Sequence, residues 1–335
     1  MFIFLFFLCL LVTTNASNLL FCYHTPNKPF GFAYLATPSQ LCTHLSMIGS
    51  THIDGDGSLV KPSVEELTNF AAIRHYNRNL NLLLCVTSAN PTFTKMTSSY
   101  PLMKKFAEDV VETLLLYKLD GLDIDWEFPV WSQDGSPKDR GQFGLLLKVL
   151  HKEFKKHRFI LAVAVSGPPT ISRIGYDVDA LQKALEDEPP LLNEMNSESS
   201  MSTWFSLGLS PNKTLFGIPL YARGYKLLLS SLHTPYSPST GATDLVTDYS
   251  EVCLFSNHEQ FHKVWSENAG SPYMYFGKLW ISYENEKSIR LKTIYAKSLG
   301  CAGVMVYSIG NDDYKGQCGG STYPLLNEVH KTLRG

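Results

Sequence analysis

Short apolar runs recur along the chain, and most are followed by a stretch in which apolar residues return every three or four positions. Leu19–Tyr23, Thr43–Ile48, Leu82–Val86, Gly121–Asp125, Phe159–Val165, Leu215–Pro219 and Gly303–Ser308 read as buried strands. Val64–His75, Leu102–Tyr117, Gln142–Lys155, Val178–Leu185 and Lys287–Ser298 read as amphipathic helices. Such alternation predicts an α/β fold with a parallel sheet. No glycine-rich nucleotide turn follows the first strand, which favours a (β/α)8 TIM-type barrel over an open doubly wound sheet. The count is one strand short of eight. Residues 222–300 exceed a single connection and predict a small α+β insertion, with strands near Tyr273–Phe276 and Leu279–Tyr283. No low-complexity linker divides the chain, so residues 17–335 read as one barrel domain.

The N-terminus carries an apolar run of about a dozen residues, then Thr13, Thr14, Asn15, Ala16 and Ser17, the pattern of a signal peptide over residues 1–16. The run is shorter than the ~20 residues a membrane span needs, so a secreted, soluble chain is expected. The 335 residues carry 29 basic and 31 acidic side chains, a balance that leaves no footprint for nucleic acid or an anionic membrane. Beyond Cys9, six cysteines remain: Cys22, Cys42, Cys85, Cys253, Cys301 and Cys318. An exported chain can oxidise them, but six cysteines admit fifteen pairings and their spacing selects none. None shows zinc-ligand spacing. Asn212-Lys213-Thr214 is a sequon that marks Asn212 for glycosylation.

The chemistry concentrates in Asp120-Gly121-Leu122-Asp123-Ile124-Asp125-Trp126-Glu127-Phe128-Pro129. A strand's period of two places Asp123, Asp125 and Glu127 on one face and Leu122, Ile124 and Trp126 on the other. On a barrel strand the acidic face is interior and its C-terminal end opens at the mouth, with Glu127 outermost. Carboxylates stacked this closely cannot all ionise, and one pKa rises strongly, which keeps a general acid protonated near neutrality. Three carboxylates could also hold Mg²⁺ or Ca²⁺, but no further ligand cluster accompanies them. Asp54-Gly55-Asp56-Gly57 lacks the twelfth-position glutamate of a calcium loop and reads as a turn.

At these residues the chain resembles glycoside hydrolase family 18, the chitinases and chitinase-like proteins, whose fingerprint DxxDxDxE is matched by Asp120, Asp123, Asp125 and Glu127. Phe21-Cys22-Tyr23 resembles the family's first strand, Gly217–Arg223 the segment at its seventh, and Gly303–Ser308 its eighth. The resemblance implies retaining hydrolysis of β-1,4-N-acetylglucosamine polymers with the substrate's own acetamide as nucleophile. It implies Glu127 as acid/base, Asp125 orienting the acetamide, and Asp123 sharing a proton with Asp125. It implies no cofactor and no metal, with chitin or chitooligosaccharides as partner and a monomeric protein. Tyr23, Trp126, Phe128, Tyr221, Arg223 and Tyr307 are the expected substrate-binding positions, although the outward alternation of Trp126 also marks it as core. The resemblance pairs Cys22 with Cys42 and Cys253 with Cys318, leaving Cys85 and Cys301 as buried thiols.

Several positions depart from the family pattern. The glycine pair that ends its third strand is replaced around Thr87-Ser88, its second-strand aromatic pattern by Met47-Ile48-Gly49, and the platform tryptophan of its eighth strand by Tyr307. The sixth-strand Met-x-Tyr-Asp segment, whose Tyr and Asp grip the acetamide, has no counterpart between Leu185 and Met201. Pro189 and Pro190 oppose a central strand there, and Leu191, Leu192 and Met195 offer at most a stub. The sixth strand is therefore expected to be missing or shortened. Two functions follow as alternatives: a chitinase-type hydrolase, or an impaired chitinase-like lectin.

Overall fold

The computed structural model describes residues 7–11, 18–26, 35–178 and 197–335. Its strands, in chain order, are β1 (Phe7–Leu11), β2 (Leu19–His24), β3 (His44–Ile53), β4 (Leu59–Val60), β5 (Asn81–Thr87), β6 (Gly121–Asp125), β7 (Ile160–Ser166) and β8 (Thr214–Pro219). After these come β9 (Arg223–Leu227), β10 (Ser239–Thr243), β11 (His262–Ser266), β12 (Ser271–Phe276), β13 (Leu279–Ser282) and β14 (Gly303–Tyr307). Parallel pairing links β3 to β5, β5 to β6 and β6 to β7. β14 pairs in parallel with both β8 and β2, and the β2–β3 pairing brings the sheet round on itself. Seven parallel strands with helices on the outside are the barrel expected from the apolar runs.

The sixth position is filled from an unexpected place. β1 lies antiparallel between β7 and β8, with Phe7 opposite Ser166, Leu11 opposite Ala162 and Cys9 opposite Leu215. The sixth strand expected to be missing or shortened is not found between β7 and β8 among the described residues; its place is taken by the N-terminal run. Two facing edges with unpaired N–H and C=O groups are costly when buried, and the N-terminal apolar run satisfies both. The expected helix over Val178–Leu185 and the stub at Leu191, Leu192 and Met195 lie outside the described residues beyond Val178. The chain is described again from the helix Ser197–Ser206, whose Trp204 indole donates to the Ser166 carbonyl at 2.9 Å.

Alternation divides the core into two layers. Leu19, Phe21, Tyr23, Leu83, Cys85, Ala162, Ala164 and Met305 face the barrel interior, while Leu20, Leu82, Leu122, Ile124 and Val163 pack under the helices. β6 is anchored at its start. Asp120 takes hydrogen bonds from Arg74 and from the Leu82 N–H, and a side chain at Gly121 would put its Cβ 2.2 Å from the Ile160 carbonyl oxygen. Only glycine permits that approach.

β9 to β13 form a separate antiparallel sheet in the order β10-β9-β13-β12-β11, with the helix Tyr249–Ser256 and a small core that includes Val246, Met274 and Ile281. Disulfides join Cys22 to Cys42 and Cys253 to Cys318, and Cys85 and Cys301 are buried thiols outside the disulfides. The first ties β2 to the end of the helix Ala36–Leu41; the second ties the insertion to the loop after β14. Among the described residues no helix is long and apolar enough to cross a membrane. Asn212 is exposed in a short 3-10 turn before β8. Asp54 closes a turn after β3 by accepting from the N–H groups of Asp56 and Ser58, at 2.9 and 3.1 Å.

Candidate active site

The carboxylates stand on β6 and just beyond its end, with small neighbours on both sides. Asp123 lies between Cys85 and Ala162 in the strand register, and Asp125 between Thr87 and Ala164. These short side chains leave the space above the strand as a cavity of about 940 Å³, lined by Asp125 and Glu127 but not by Asp123. That volume suits a small-molecule or oligomer site.

Asp123 is fully buried beneath the cavity and accepts hydrogen bonds from the Tyr23 hydroxyl and the Cys85 thiol. Burial raises its pKa to about 6, against the opposing pull of those two donors. Asp125 is driven well above the ordinary range, first by burial and then by the charges of Glu127 and Asp123. Its Oδ1 is buried with no hydrogen-bond partner among the described residues. Burial lifts Glu127 to about 7 even though its side chain opens to solvent through the cavity, because the walls remove much of its hydration. No hydrogen bond joins Asp123 to Asp125 among the described residues; the three groups are linked through charge. The stack therefore retains protons to near-neutral pH, with Asp123 the most readily ionised.

The backbone that carries Glu127 is held from below. Ser132 Oγ accepts from the Phe128 N–H at 2.9 Å and donates to the Glu127 carbonyl at 3.1 Å. Buried Asp139 accepts from Ser136 N–H at 2.7 Å and Thr94 Oγ1 at 2.9 Å, which fixes the loop between β6 and the following helix.

Of the expected substrate positions, Tyr23, Tyr221, Arg223 and Tyr307 line the cavity, and Trp126 and Phe128 do not. Trp126 is fully buried on the helix side, stacked on Phe93 at 4.8 Å, edge-on to Phe143, with its indole donating to Asn90. Its outward register decides this. Phe128 belongs to the same core. Tyr307 sits 5.4 Å from Tyr23 and 6.3 Å from Tyr221, and the Arg223 guanidinium lies 5.1 Å above the Tyr221 ring. Burial pushes the Tyr307 phenol up to about 12, with Asp125 next among the causes.

One part of the lining was not anticipated. β3 runs five residues past the Ile48 expected as its end and carries Thr51, His52 and Ile53 up beside Thr87, Ser88 and Thr92. The register shift between Met47 and Thr51 breaks the period of two there, so no continuous alternation in the sequence marks the extension. Among the described residues no group of three or more His, Cys, Asp or Glu side chains is placed to hold a metal ion.

A barrel with three stacked carboxylates at the end of one strand, two of them lining a cavity, is the arrangement of a glycosidase-type site. The Glycosyl hydrolases family 18 profile matches residues 19–312, and the chain belongs to that family. It is 26% identical over 343 residues to a probable chitinase 10 of Drosophila melanogaster, covering 89% of this chain but only 15% of that protein. The crystal structure of a Group IV chitinase from Ostrinia furnacalis shares 26% identity with a TM-score of 0.85, covering 95% of this chain and 100% of the other. A human protein, described as a pseudo-chitinase with retained chitooligosaccharide binding, shares the fold at 22% identity and a TM-score of 0.80, over 95% of this chain and all of its own.

Proposed function

We propose that this chain is a secreted chitinase-type hydrolase that cleaves β-1,4-N-acetylglucosamine oligomers with retention, and that Glu127 is its acid/base. The observation that carries the reading is Glu127 lining the cavity just beyond the end of β6, above Asp125 and buried Asp123, with its pKa lifted to about 7. Glu127 gives its proton to the glycosidic oxygen as that bond breaks. The acetamide carbonyl oxygen of the sugar on the non-reducing side attacks the anomeric carbon from the opposite face and forms a cyclic oxazolinium ion. Asp125 accepts from the acetamide N–H and stabilises the cation. Glu127, now ionised, takes a proton from water, which opens the ring with overall retention. Tyr221 and Tyr307 offer faces for stacking on sugar rings, and Arg223 offers donors at the rim. Export with removal of residues 1–16 and a glycan on Asn212 complete the reading; two disulfides support an oxidising compartment.

The test is hydrolysis of a fluorogenic chitobioside by the purified protein. Release of fluorophore that survives Glu127→Gln unchanged would exclude the assignment. A second reading, a chitooligosaccharide-binding lectin, is favoured by one feature: Thr87 and Ser88 stand where the family's glycine pair would leave the floor open, and both line the cavity. Oligomer binding by calorimetry with no detectable turnover would select it.

A further inference from the structure

Large apolar side chains gather in solvent at one end of the five-stranded sheet. β9 leaves the cavity at Arg223 and pairs antiparallel with β13, Arg223 opposite Ser282 and Lys226 opposite Leu279. Four residue steps carry it about 13 Å from the cavity rim to Leu227. The β9–β10 loop and the short turn between β12 and β13 therefore lie at the same, distal end of the sheet. The Leu227 N–H donates to the Lys278 carbonyl at 2.7 Å where the two meet. Leu228, Leu229, Leu232 and Tyr236 of the loop and Phe276 of the turn are exposed, from 43% at Leu232 to 86% at Tyr236. An apolar group of this size on a soluble surface marks a contact.

The backbone holds these side chains out. Leu228 N–H donates to the Pro238 carbonyl at 2.9 Å, Leu232 N–H to that of Leu229 at 3.4 Å, and Ser237 N–H to that of Thr234 at 3.1 Å, which closes two successive turns. The stem is fixed to the sheet as well. The Trp280 indole donates to the His233 carbonyl at 2.9 Å, and the His233 ring stacks on Tyr275 at 3.9 Å. The leucines cannot fold back onto the sheet without breaking these bonds.

Local charge selects the partner. Residues 223–243 and 270–283 carry Arg223, Lys226, His233 and Lys278 and no Asp or Glu. Lys226 and Lys278 are exposed, at the bases of the loop and the turn, and form no ion pair among the described residues. The loop before β11 adds Glu259, with His262 and Lys263 following it. The near balance of charge over the whole chain conceals this asymmetry. A second copy packed on the same face would set lysine against lysine. An anionic lipid surface offers both an apolar layer and negative headgroups.

We propose that this end of the sheet docks on an anionic phospholipid surface, with the leucines, Tyr236 and Phe276 entering the interfacial layer and Lys226 and Lys278 contacting the headgroups. Attachment is peripheral, since no helix among the described residues is long and apolar enough to span. The length of β9 keeps the cavity mouth clear of the membrane. The surface is independent of the hydrolytic reading.

The experiment is flotation of the full chain with vesicles of phosphatidylcholine alone, and of phosphatidylcholine with about a third phosphatidylserine, at about 0.1 M salt. The protein is expected to float with the anionic vesicles and far less with the neutral ones. Leu228→Ser with Leu229→Ser should weaken binding at least about 10-fold, through lost apolar burial. Lys226→Gln with Lys278→Gln should weaken it about 30-fold on anionic vesicles and little on neutral ones. Melting temperatures should stay with the parent, because all four side chains are exposed, so a loss of flotation is not unfolding. A parent that floats with neither vesicle overturns the proposal, and so does a leucine variant that floats like the parent. A dimer of the parent that the leucine variant abolishes, seen in sedimentation, gives the surface to a second copy and equally overturns it.

Discussion

Among the individual residues, the acidic stack is governed by how unevenly its members are desolvated. Asp123 has two donors, the Tyr23 hydroxyl and the Cys85 thiol, and rises only to about 6. Asp125 has an orphaned oxygen and two acidic neighbours, and is driven well above the ordinary range. Glu127 is lifted to about 7, which is where a group that must both give and take a proton near neutrality should lie. Replacing Glu127 by Gln is expected to lower kcat about 100- to 10,000-fold while oligomer affinity stays within a few-fold, as turnover and calorimetry would show. The rate of the parent should fall above pH about 7 as Glu127 deprotonates. The same shift bears on stability. A carboxyl whose folded pKa is raised binds its proton more tightly when folded, so its favourable contribution is present at low pH and is lost as pH rises through about 4.5 to 7. Glu127→Gln should therefore melt higher than the parent at pH 7.5 and no higher at pH 4. Equal melting temperatures at both would contradict the buried acid.

At the scale of elements, β6 was readable because its pattern is local. Acidic and apolar residues alternate within eight positions, and a strand's period of two separates them without help from elsewhere. Its anchoring is tight enough to test. Gly121→Ala would push a methyl against the Ile160 carbonyl, 2.2 Å from the added carbon, and should cost about 1–3 kcal/mol of unfolding free energy in urea. The upper half of β3 was not readable, because a bulge interrupts the alternation and shifts the register at Met47–Thr51. The partner of β7 and β8 was less readable still. Phe7–Leu11 reads as a leader by composition, and only the paired edges of two distant strands give it another role. The two fates are separable. Removal after Ala16 takes β1 out of the sheet and exposes both edges, so a chain beginning at Ser17 should melt several degrees below one that keeps residues 1–16. Mass spectrometry of the exported protein would report which N-terminus it carries.

At the scale of the whole molecule, the cavity exists because elements far apart in sequence meet around one axis. Tyr23 from β2, Glu127 after β6, Tyr221 between β8 and β9, and Tyr307 at the end of β14 share its lining. Two cross-links hold this arrangement at different ranges, with sequence separations of 20 residues for Cys22–Cys42 and 65 for Cys253–Cys318. Loop-closure entropy makes these worth about 3.3 and 4.3 kcal/mol in the chain-entropy account. Cys253→Ser with Cys318→Ser is therefore expected to lower the unfolding free energy somewhat more than Cys22→Ser with Cys42→Ser, measured in denaturant at fixed pH.

The sequence alone determined what depends on neighbours along the chain: the seven parallel strands of the barrel, which face of β6 is acidic, and that Trp126 points away from the carboxylates. Period-two and period-3.6 patterns record burial directly, so these features survive without coordinates. Only the tertiary structure decided which segment lies between β7 and β8, that Phe128 joins the core rather than the cavity, and that His52 and Thr87 share one cavity with Tyr221 and Tyr307. Those are contacts between residues tens to hundreds of positions apart. No local pattern encodes them, because the free energy that selects them comes from pairing and packing after the chain has closed.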